Sequence, residues 1–485
     1  MNLDVLLGGI GQIFRNGVNV PATGVSCDTR RLSGGEVFVA VPGVATDGHG
    51  FVWEAVSRGA GAVVAERVVP TPRAVPYVVV EDARRAFAEL AGRFYQHPSL
   101  RLNLVGVTGT NGKTTTTYIL RSIFQAAGEK VGLIGTVEYG IGPERMPSSA
   151  TTPAADFLNH LLSEMVGRGC RTAVMEVSSH ALDQHRVHGL RFAAGVFTNL
   201  TRDHLDYHKT LADYRAAKQR LFEMLPEKGV AAANLDDPSA EFMLKATKAR
   251  PVGFGLRRRA PVSVRAAQCG IEGTRFELRL GNETVRARTK LLGRHNLYNI
   301  AAAAAAAWGM GYDPDPIRAG IEAMEQVPGR LERVDESGGP LVVVDYAHTD
   351  DALEKVLLTL QPLTRGRLIL VFGCGGDRDT GKRPRMGRVA ERLADVTLLT
   401  SDNPRSEDPL TIIRQIQGGM SDTSRYHVEP DREAAIRKAV ALAGEGDVVL
   451  IAGKGHETVQ HFKDGSRHFD DRETARRYLR RAARS

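Results

Sequence analysis

No run of about eighteen apolar residues occurs in the 485-residue chain, so the sequence offers no candidate for a membrane-spanning helix. Its start, MNLDVLLGGIGQIFRNG, carries Asp4 early and no basic segment before the apolar one, so no secretory signal is expected. Cysteine is scarce: Cys27, Cys170, Cys269 and Cys374 lie far apart without CxxC spacing, which suits a reducing compartment and argues against structural zinc. They read as ordinary buried thiols of a cytoplasmic enzyme. The net charge of +8 is not concentrated in one tract. Its densest cluster, Arg476 to Arg484, falls on a helix-like segment, where a solvated face explains it as well as a binding patch. An acidic small substrate would also suit the excess charge. What the chain does have is 42% apolar and 25% charged residues, the balance of a soluble globular protein. Its length exceeds one core, and a prior of about 150 residues per domain suggests roughly three domains.

The most informative stretch is LVGVTGTNGKTTTT, Leu104 to Thr117: an apolar strand-like run, a glycine-bounded loop, then a helix start. Such a loop turns backbone N–H groups toward a polyanion, and the helix N-terminus adds positive partial charge. A nucleoside triphosphate is the expected ligand. Gly112 permits close backbone approach, Lys113 is suited to the β- and γ-phosphates, and Thr114 or Thr115 can offer a hydroxyl to Mg²⁺. The general phosphate-loop pattern asks for glycine six residues before the lysine, where Val107 stands. The loop is therefore contracted to Gly109-Thr110-Asn111-Gly112-Lys113-Thr114, which argues against the commonest motor and GTPase families. A plain strand-to-helix turn is the alternative, and the matching strand, turn and helix context disfavours it.

Before this loop, EVFVAV, GAVVAE and PYVVV read as strands and DARRAFAELAGRFYQ as an amphipathic helix, giving a small α/β domain. Its polar loops, CDTRR and PGVATDGHG, prove nothing alone. After it, TAVMEV and GVFTNL read as buried strands, the first ending in Ser178, Ser179 and His180 and the second in TRDHLDYH. Ligands of an open parallel sheet sit beyond the carboxyl ends of its strands, so Glu176, the serines, Asn199, Asp203 and His204 are expected on the rim that carries Lys113. Glu176 and His204 become candidate Mg²⁺ ligands, with phosphate oxygens completing the shell. YRAAKQRLF is helical, and its Lys218 reads as a surface lysine. LLGRHNLYNIAAAAAAAWGMG is a polar loop entering an alanine-rich helix, with His295, Asn296 and Asn299 at its start. VPGRLERV, around Arg330, looks like a hinge.

A further unit opens with LVVVDYAHT and continues through RLILVFGCGGDRDTGKRPRMG, VTLLTSDNPRSEDP and DVVLIAGKGHE. Four apolar runs each end in a glycine-rich or charged loop, the pattern of a doubly wound α/β domain. These loops carry Asp345, His348, Asp377, Arg378, Lys382, Arg383, Asp402, Asn403, Arg405, Lys454, His456 and Glu457, a density that favours a binding rim over solvated turns.

Taken in order, GTNGKTTT, MEVSSH, NLTRDHLDYH, AAKQRLF, GRHNLYN, DYAHT, GCGGDRDTGKRP, SDNPR and AGKGHE give the chain, nearly from end to end, a pattern that resembles the Mur ligases. The resemblance implies an α/β protein of three domains: residues 1–100 for the UDP end of the substrate, a central P-loop ATPase-like domain at 101–330, and a Rossmann-like amino-acid domain at 331–485. It implies ATP and Mg²⁺ and an ADP-forming acid–amino-acid ligase of peptidoglycan synthesis. The expected reaction adds meso-2,6-diaminopimelate to UDP-N-acetylmuramoyl-L-alanyl-D-glutamate through an acyl phosphate. Partners would be these small molecules, with no nucleic acid and no membrane, and the protein a monomer.

Carried over by motif, the resemblance places ATP on Gly109 to Thr115 with Asn296, Arg330, Asp345 and His348. It places uridine-side contacts at Thr29 and at Val44, Ala45 and Thr46, and contacts to the muramoyl dipeptide at Thr151, Thr152, Ser178, Gln184 and Arg186. In the family the lysine matching Lys218 is carbamylated, and with Glu176, His204 and the Thr114 hydroxyl it holds Mg²⁺. CO₂ turns a repelling cation into an oxygen donor. Asp402-Asn403-Pro404-Arg405 reads as in diaminopimelate-adding relatives, with Arg378, Gly453 and Glu457 matching the remaining contacts. A guanidinium fork can grip the distal carboxylate that lysine lacks. Leaving such an arginine unpaired costs about 3–5 kcal/mol, roughly a hundredfold to several thousandfold in discrimination. Two departures stand out: Asp350 follows DYAHT where the family usually has proline, which would loosen that loop, and Thr29 replaces a common serine. The alternatives are a lysine-adding or folylpolyglutamate-type ligase and, from another class, a nucleic-acid-stimulated P-loop ATPase.

Overall fold

The computed structural model describes residues 1–15, 20–43, 46–334 and 339–482; Val44, Ala45 and Arg484 lie outside them. The chain forms two compact units: Met1–Arg265 with Glu277–Ala287 and Leu297–Ala323, and Ala266–Phe276 with Arg288–Asn296 and Met324–Ser485.

The first unit begins with a five-stranded sheet in the order Gln12–Arg15, Tyr77–Val79, Ala62–Ala65, Val37–Val39, Val25–Ser26. Only the first strand pairs antiparallel. Period-two alternation sends Val37, Val39, Val64 and Val78 into one core and Phe38, Val63, Ala65 and Tyr77 into another, so both faces are covered. Helix Ala83–Phe94 starts where the Asp82 carboxylate accepts from the Arg84 and Arg85 amides. The strands Val37–Val39, Ala62–Ala65 and Tyr77–Val79 and this helix are those expected from the sequence; the two-residue strand Val25–Ser26 was not. The edge strand Gln12–Arg15 was not either, and its mostly exposed residues explain why.

A larger sheet follows. At its centre Ala194–Phe197, Asn103–Thr108, Thr172–Glu176 and Val131–Ile134 lie side by side, all parallel. Val230–Asn234 and Arg250–Gly255 extend it in the same direction. Their apolar runs are fully buried, as strands covered on both faces require. A hairpin, Glu138–Ile141 with Glu144–Pro147, adds antiparallel strands that the sequence reading did not anticipate. Helix Lys113–Ala126 takes Gly320 of helix Pro314–Ala323 so closely that a Cβ there would lie 2.3 Å from Ile123 Cα. The alanine run Ala301 to Ala307 is wholly buried, small side chains serving close packing.

In the second unit a six-stranded sheet runs Glu332–Val334, Leu341–Asp345, Val448–Ala452, Leu368–Phe372, Val396–Leu399, Tyr426–Val428. Only the first strand is antiparallel. Val342, Val344, Ile369, Val371, Val449 and Ile451 face one core, while Val343, Leu368, Leu370, Phe372 and Leu450 face the other. This is the doubly wound arrangement expected, and it brings all four loaded loops to one sheet edge. Helix Asp471–Ala482 carries the late arginine cluster as far as Arg481. Among the described residues no helix is long and apolar enough to cross a membrane. Cys170 and Cys374 are buried, but Cys27 and Cys269 are exposed; the expectation of four buried thiols is corrected, since Cys269 lies on the exposed half of strand Val262–Gly270.

Candidate active site

The loop after strand Asn103–Thr108 is bound tightly to the loop after its neighbour Ala194–Phe197. Thr110 N donates to Asn199 O (2.8 Å), Asn111 N to Asn199 Oδ1 (3.0 Å), and Thr198 Oγ1 to Asn111 O (2.6 Å). Both glycines are required by their surroundings. At Gly109, with φ 148°, a Cβ would fall 2.0 Å from Thr198 Oγ1; at Gly112, with φ 85°, it would fall 2.2 Å from Asn299 Oδ1. Gly112 precedes the helix Lys113–Ala126, and no side chain caps it. Its first amides therefore point at a place suited to a phosphate group.

Glu176, at the end of its strand and 1% exposed, accepts from Thr114 Oγ1 at 3.1 Å. It also accepts from Thr136, through the amide at 2.7 Å and the hydroxyl at 3.1 Å. Lys218 is a surface lysine in the sequence reading and completely buried in the structure: helix Leu211–Glu223 turns it inward, and its Nζ donates to Gly109 O at 3.0 Å. Lys113 Nζ donates to the same oxygen at 2.9 Å. Burial, reinforced by Lys113 and opposed by Asp203, holds the Lys218 amine well below the usual lysine range. His204 is lowered by burial first, and by Lys113 and Lys218 against Asp203, so the imidazole and both lysines share one neighbourhood. His180 stacks edge-on to His204 at 4.8 Å and is driven down to about 4 by burial and by His204 and His208. Of the residues expected on the Lys113 rim, Glu176, Asn199, Asp203 and His204 thus lie around the loop.

The dipeptide candidates adjoin this cluster. Thr152 Oγ1 donates to Glu176 O (2.8 Å) and accepts from Ser178 N (3.1 Å), while Thr151 Oγ1 meets Thr136 Oγ1 at 3.0 Å. Arg186 donates to Thr152 O (2.8 Å) and to Gln184 Oε1 (2.7 Å), and burial lowers its pKa. Thr29 opens the short turn Thr29–Arg31, whose Arg31 pairs at 2.8 Å with buried Asp156, four residues past Thr152. Thr46 accepts a turn bond from Gly43 N (2.9 Å); its neighbours Val44 and Ala45 lie outside the described residues.

In the second unit Arg330 lies over the Tyr346 ring at 4.9 Å. Asp345 accepts from the Leu331 (2.7 Å) and Ala347 (2.8 Å) amides, and burial raises its pKa against the pull of Arg330. His348 Nδ1 stands 2.8 Å from Tyr346 O. Asn296 donates to Leu292 O at 2.7 Å. The proline-to-aspartate departure does not loosen the loop. Asp350 opens helix Asp350–Leu360, whose cap Thr349 accepts from Ala352 N, and pairs with Arg385 at 2.9 Å; an acidic first turn suits the helix dipole.

The amino-acid candidates form one network. Asn403 donates to Glu457 Oε2 (2.8 Å) and accepts from the His461 amide (3.0 Å) and Lys454 Nζ (3.2 Å). Gly453 has φ 116°, and a Cβ there would strike Asp402 Oδ2 at 2.4 Å. Arg405, half-buried beyond Pro404, donates to Gly376 O at 2.6 Å. A Cβ on Gly375 would meet both Arg405 Nη1 (3.1 Å) and Arg378 Cγ (3.8 Å), so these two side chains line one face of that loop. Asn299, Thr136, Thr198 and Tyr214, whose ring centroid lies 4.3 Å from Lys218 Nζ, were missed as site residues. Thr136 follows the strand Val131–Ile134 and could have been found by the strand-end rule that picked Glu176.

Among the described residues no group of three or more His, Cys, Asp and Glu side chains gathers as a metal cage. The donor set at the loop is instead a hydroxyl, a carboxylate and an imidazole beside an amine whose pKa burial lowers, which fits Mg²⁺ that keeps water and phosphate oxygens.

Family profiles match the chain in three places: the Mur ligase family, catalytic domain over residues 21–95, the Mur ligase middle domain over 107–307, and the Mur ligase, glutamate ligase domain over 329–455. The UDP-N-acetylmuramoyl-L-alanyl-D-glutamate--2,6-diaminopimelate ligase of Geobacillus kaustophilus is 47% identical over 96% of each chain. A solved structure of a UDP-N-acetylmuramoyl-L-alanyl-D-glutamate--2,6-diaminopimelate ligase aligns with TM-score 0.71 and 34% identity over 96% of both chains. A MurF ligase from Thermotoga maritima in complex with ADP shares the fold, with TM-score 0.64 and 20% identity over 95% of this chain and 98% of that one.

Proposed function

Because the chain belongs to the Mur ligase family, we propose that it uses ATP to join meso-2,6-diaminopimelate to UDP-N-acetylmuramoyl-L-alanyl-D-glutamate during peptidoglycan synthesis. Residues 1–100 take the UDP end, 101–330 the ATP and 331–485 the amino acid. The observation that carries this reading is that Glu176 and Lys218, far from the loop in sequence, both close on it through Thr114 Oγ1 and Gly109 O.

The dipeptide's terminal carboxylate attacks the ATP γ-phosphate, giving an acyl phosphate and ADP. The amine of diaminopimelate then displaces phosphate and loses a proton to form the amide. Lys113 offsets the charge of the triphosphate, and the helix amides behind it hold the phosphates in place. Thr114, Glu176, His204 and carbamylated Lys218 would hold Mg²⁺, which supplies charge neutralisation between carboxylate and triphosphate. The burial that lowers the Lys218 pKa favours the carbamate, since only the unprotonated amine adds to CO₂. Thr151, Thr152, Ser178, Gln184 and Arg186 orient the dipeptide, and Asn296, Arg330, Asp345 and His348 the nucleotide. Thr29 and the loop Val44 to Thr46 take the uridine. Arg405, with Arg378, Asp402, Asn403, Gly453 and Glu457, selects diaminopimelate. A monomer in the cytoplasm, acting on small molecules alone, suits the activity.

Phosphate release with the UDP-linked dipeptide, offered diaminopimelate or lysine, tests the reading. Release with diaminopimelate at least a hundredfold faster is expected, and Arg405→Ala should erase that preference. Equal use of both amino acids by the wild type would overturn the assignment of substrate.

A further inference from the structure

Arg405 has a left-handed backbone, φ 52°, a conformation that a residue with a side chain keeps only when its surroundings impose it. Those surroundings begin two residues later. The Glu407 carboxylate takes both ends of the Arg383 guanidinium, Nη1 to Oε2 and Nη2 to Oε1, each at 2.8 Å. Arg383 is completely buried, and its Nη1 and Nη2 also donate to Gln415 Oε1 (2.6 Å) and Gly375 O (3.1 Å). Glu407 Oε1 also accepts from Asp377 N at 2.6 Å. One carboxylate thus ties the loop of Arg405 to the loop of Arg378, and further bonds join them: Gly376 N to Asn403 O (2.9 Å) and Ser406 Oγ to Asp377 Oδ1 (2.5 Å). Gly376 sits where a Cβ would lie 1.9 Å from Pro404 O, so the two loops have no slack.

We propose that Glu407, gripping Arg383, is a specificity-positioning residue: the pair holds the Arg405 and Arg378 loops in register so that both guanidinium groups meet the distal end of the amino-acid substrate. Neither Glu407 nor Arg383 need touch the substrate. The inference rests on the ligase reading above and extends it to the support beneath the selecting arginine. An Arg383–Glu407 fork suits the task because two parallel bonds fix orientation as well as distance.

The test measures kcat and KM for diaminopimelate and lysine, and KM for the UDP-linked dipeptide, in wild type, Glu407→Gln, Arg405→Ala and the double variant. Glu407→Gln should raise KM for diaminopimelate about tenfold and lower its preference over lysine by a similar factor, with KM for the dipeptide changed less than twofold. In the Arg405→Ala background the same substitution should change neither parameter by more than twofold, because the group being positioned is already gone. Arg383→Lys, which keeps the charge without the fork, should move KM in the same direction if Glu407→Gln folds poorly. Multiplicative effects in the double variant, or a kcat loss with unchanged preference, would overturn the positioning role alone. A wild type without diaminopimelate-dependent phosphate release would overturn the ligase reading and this inference with it.

Discussion

Asp471→Asn should loosen the amino-acid rim from beneath. Arg432 and Asp471 form an ion pair in which both side chains are 0% exposed, at 2.7 and 2.8 Å, so solvent screening takes nothing from it. The same guanidinium donates to Ser401 O at 3.3 Å and Ala452 O at 3.0 Å, the carbonyls immediately before Asp402 and Gly453. Removing one charge of a buried pair costs about 3–5 kcal/mol, whereas replacing both partners by apolar groups is often near neutral. At 1.4 kcal/mol per decade the single change corresponds to roughly a hundredfold to several thousandfold faster opening. The two tryptophans, Trp53 and Trp308, both belong to the first unit, so their fluorescence is a poor reporter of the second. Hydrogen exchange followed on peptides spanning Val396–Leu399 and Val448–Ala452 is the suitable assay. Exchange there should accelerate by that factor in Asp471→Asn, stay unchanged in the first unit, and recover in large part in Arg432→Met/Asp471→Leu. Protection within twofold of wild type in Asp471→Asn would refute the argument that this pair holds the rim.

Gly112→Ala should weaken ATP binding at least tenfold by calorimetry, since its Cβ would lie 2.2 Å from Asn299 Oδ1; Gly128→Ala, with nearly the same φ (83°) but nothing within 4 Å, separates this clash from backbone strain and should leave binding unaltered. Lys218→Met should abolish phosphate release while retaining ATP affinity within a few fold, and wild-type enzyme held free of CO₂ should regain lost activity on adding bicarbonate; activity indifferent to bicarbonate after verified CO₂ removal would count against the carbamate. Hydrogen bonds from Arg383 hold the Glu407 pKa down at about 2. A depressed carboxylate stabilises the fold fully above its unfolded pKa and ceases to do so as pH falls through the folded one. The urea midpoint difference between wild type and Glu407→Gln should therefore be constant near neutrality and shrink only between about pH 4.5 and 2.

The buried parallel strands were legible because they read as unbroken apolar runs, and the strand-end rule then placed Glu176, His204, Asp345 and Asn403 at loaded rims. What escaped the sequence has physical reasons. The hairpin strand Glu144–Pro147 is wholly exposed, so no burial pattern marks it. Lys218 looks like any lysine on an amphipathic helix; the family resemblance alone singled it out, and its burial against Gly109 O emerges only with the tertiary fold. Asn299 was seen at its helix start, but nothing in the sequence couples it to Gly112, 187 residues earlier. Arg383, in the first turn of helix Lys382–Leu393, and Glu407, in the loop after Val396–Leu399, each sit among other charges, and sequence carries no information on which opposite charge each will find. Motifs identify which residues bear chemistry, whereas the pairings that aim them are long-range and emerge only with coordinates.

The two lysines at the phosphate loop explain how one of them can change character. Both amine nitrogens lie within 3.0 Å of Gly109 O, hence within about 6 Å of each other. Two ammonium ions at that distance repel by about 3 kcal/mol at an effective dielectric of 20. Burial is unequal: Lys113 at the helix start is half-exposed, whereas Lys218 is 1% exposed, so desolvation lowers the Lys218 pKa and favours its neutral form. A neutral amine is a nucleophile toward CO₂, and the proposed carbamylation would convert the repulsive neighbour of Lys113 into an attractive one while adding an anionic oxygen donor. The contracted loop therefore carries its own logic. By placing one carbonyl within reach of both lysines, it disfavours two cations there, and the proposed carbamate on Lys218 would supply the anion that the proposed metal site needs.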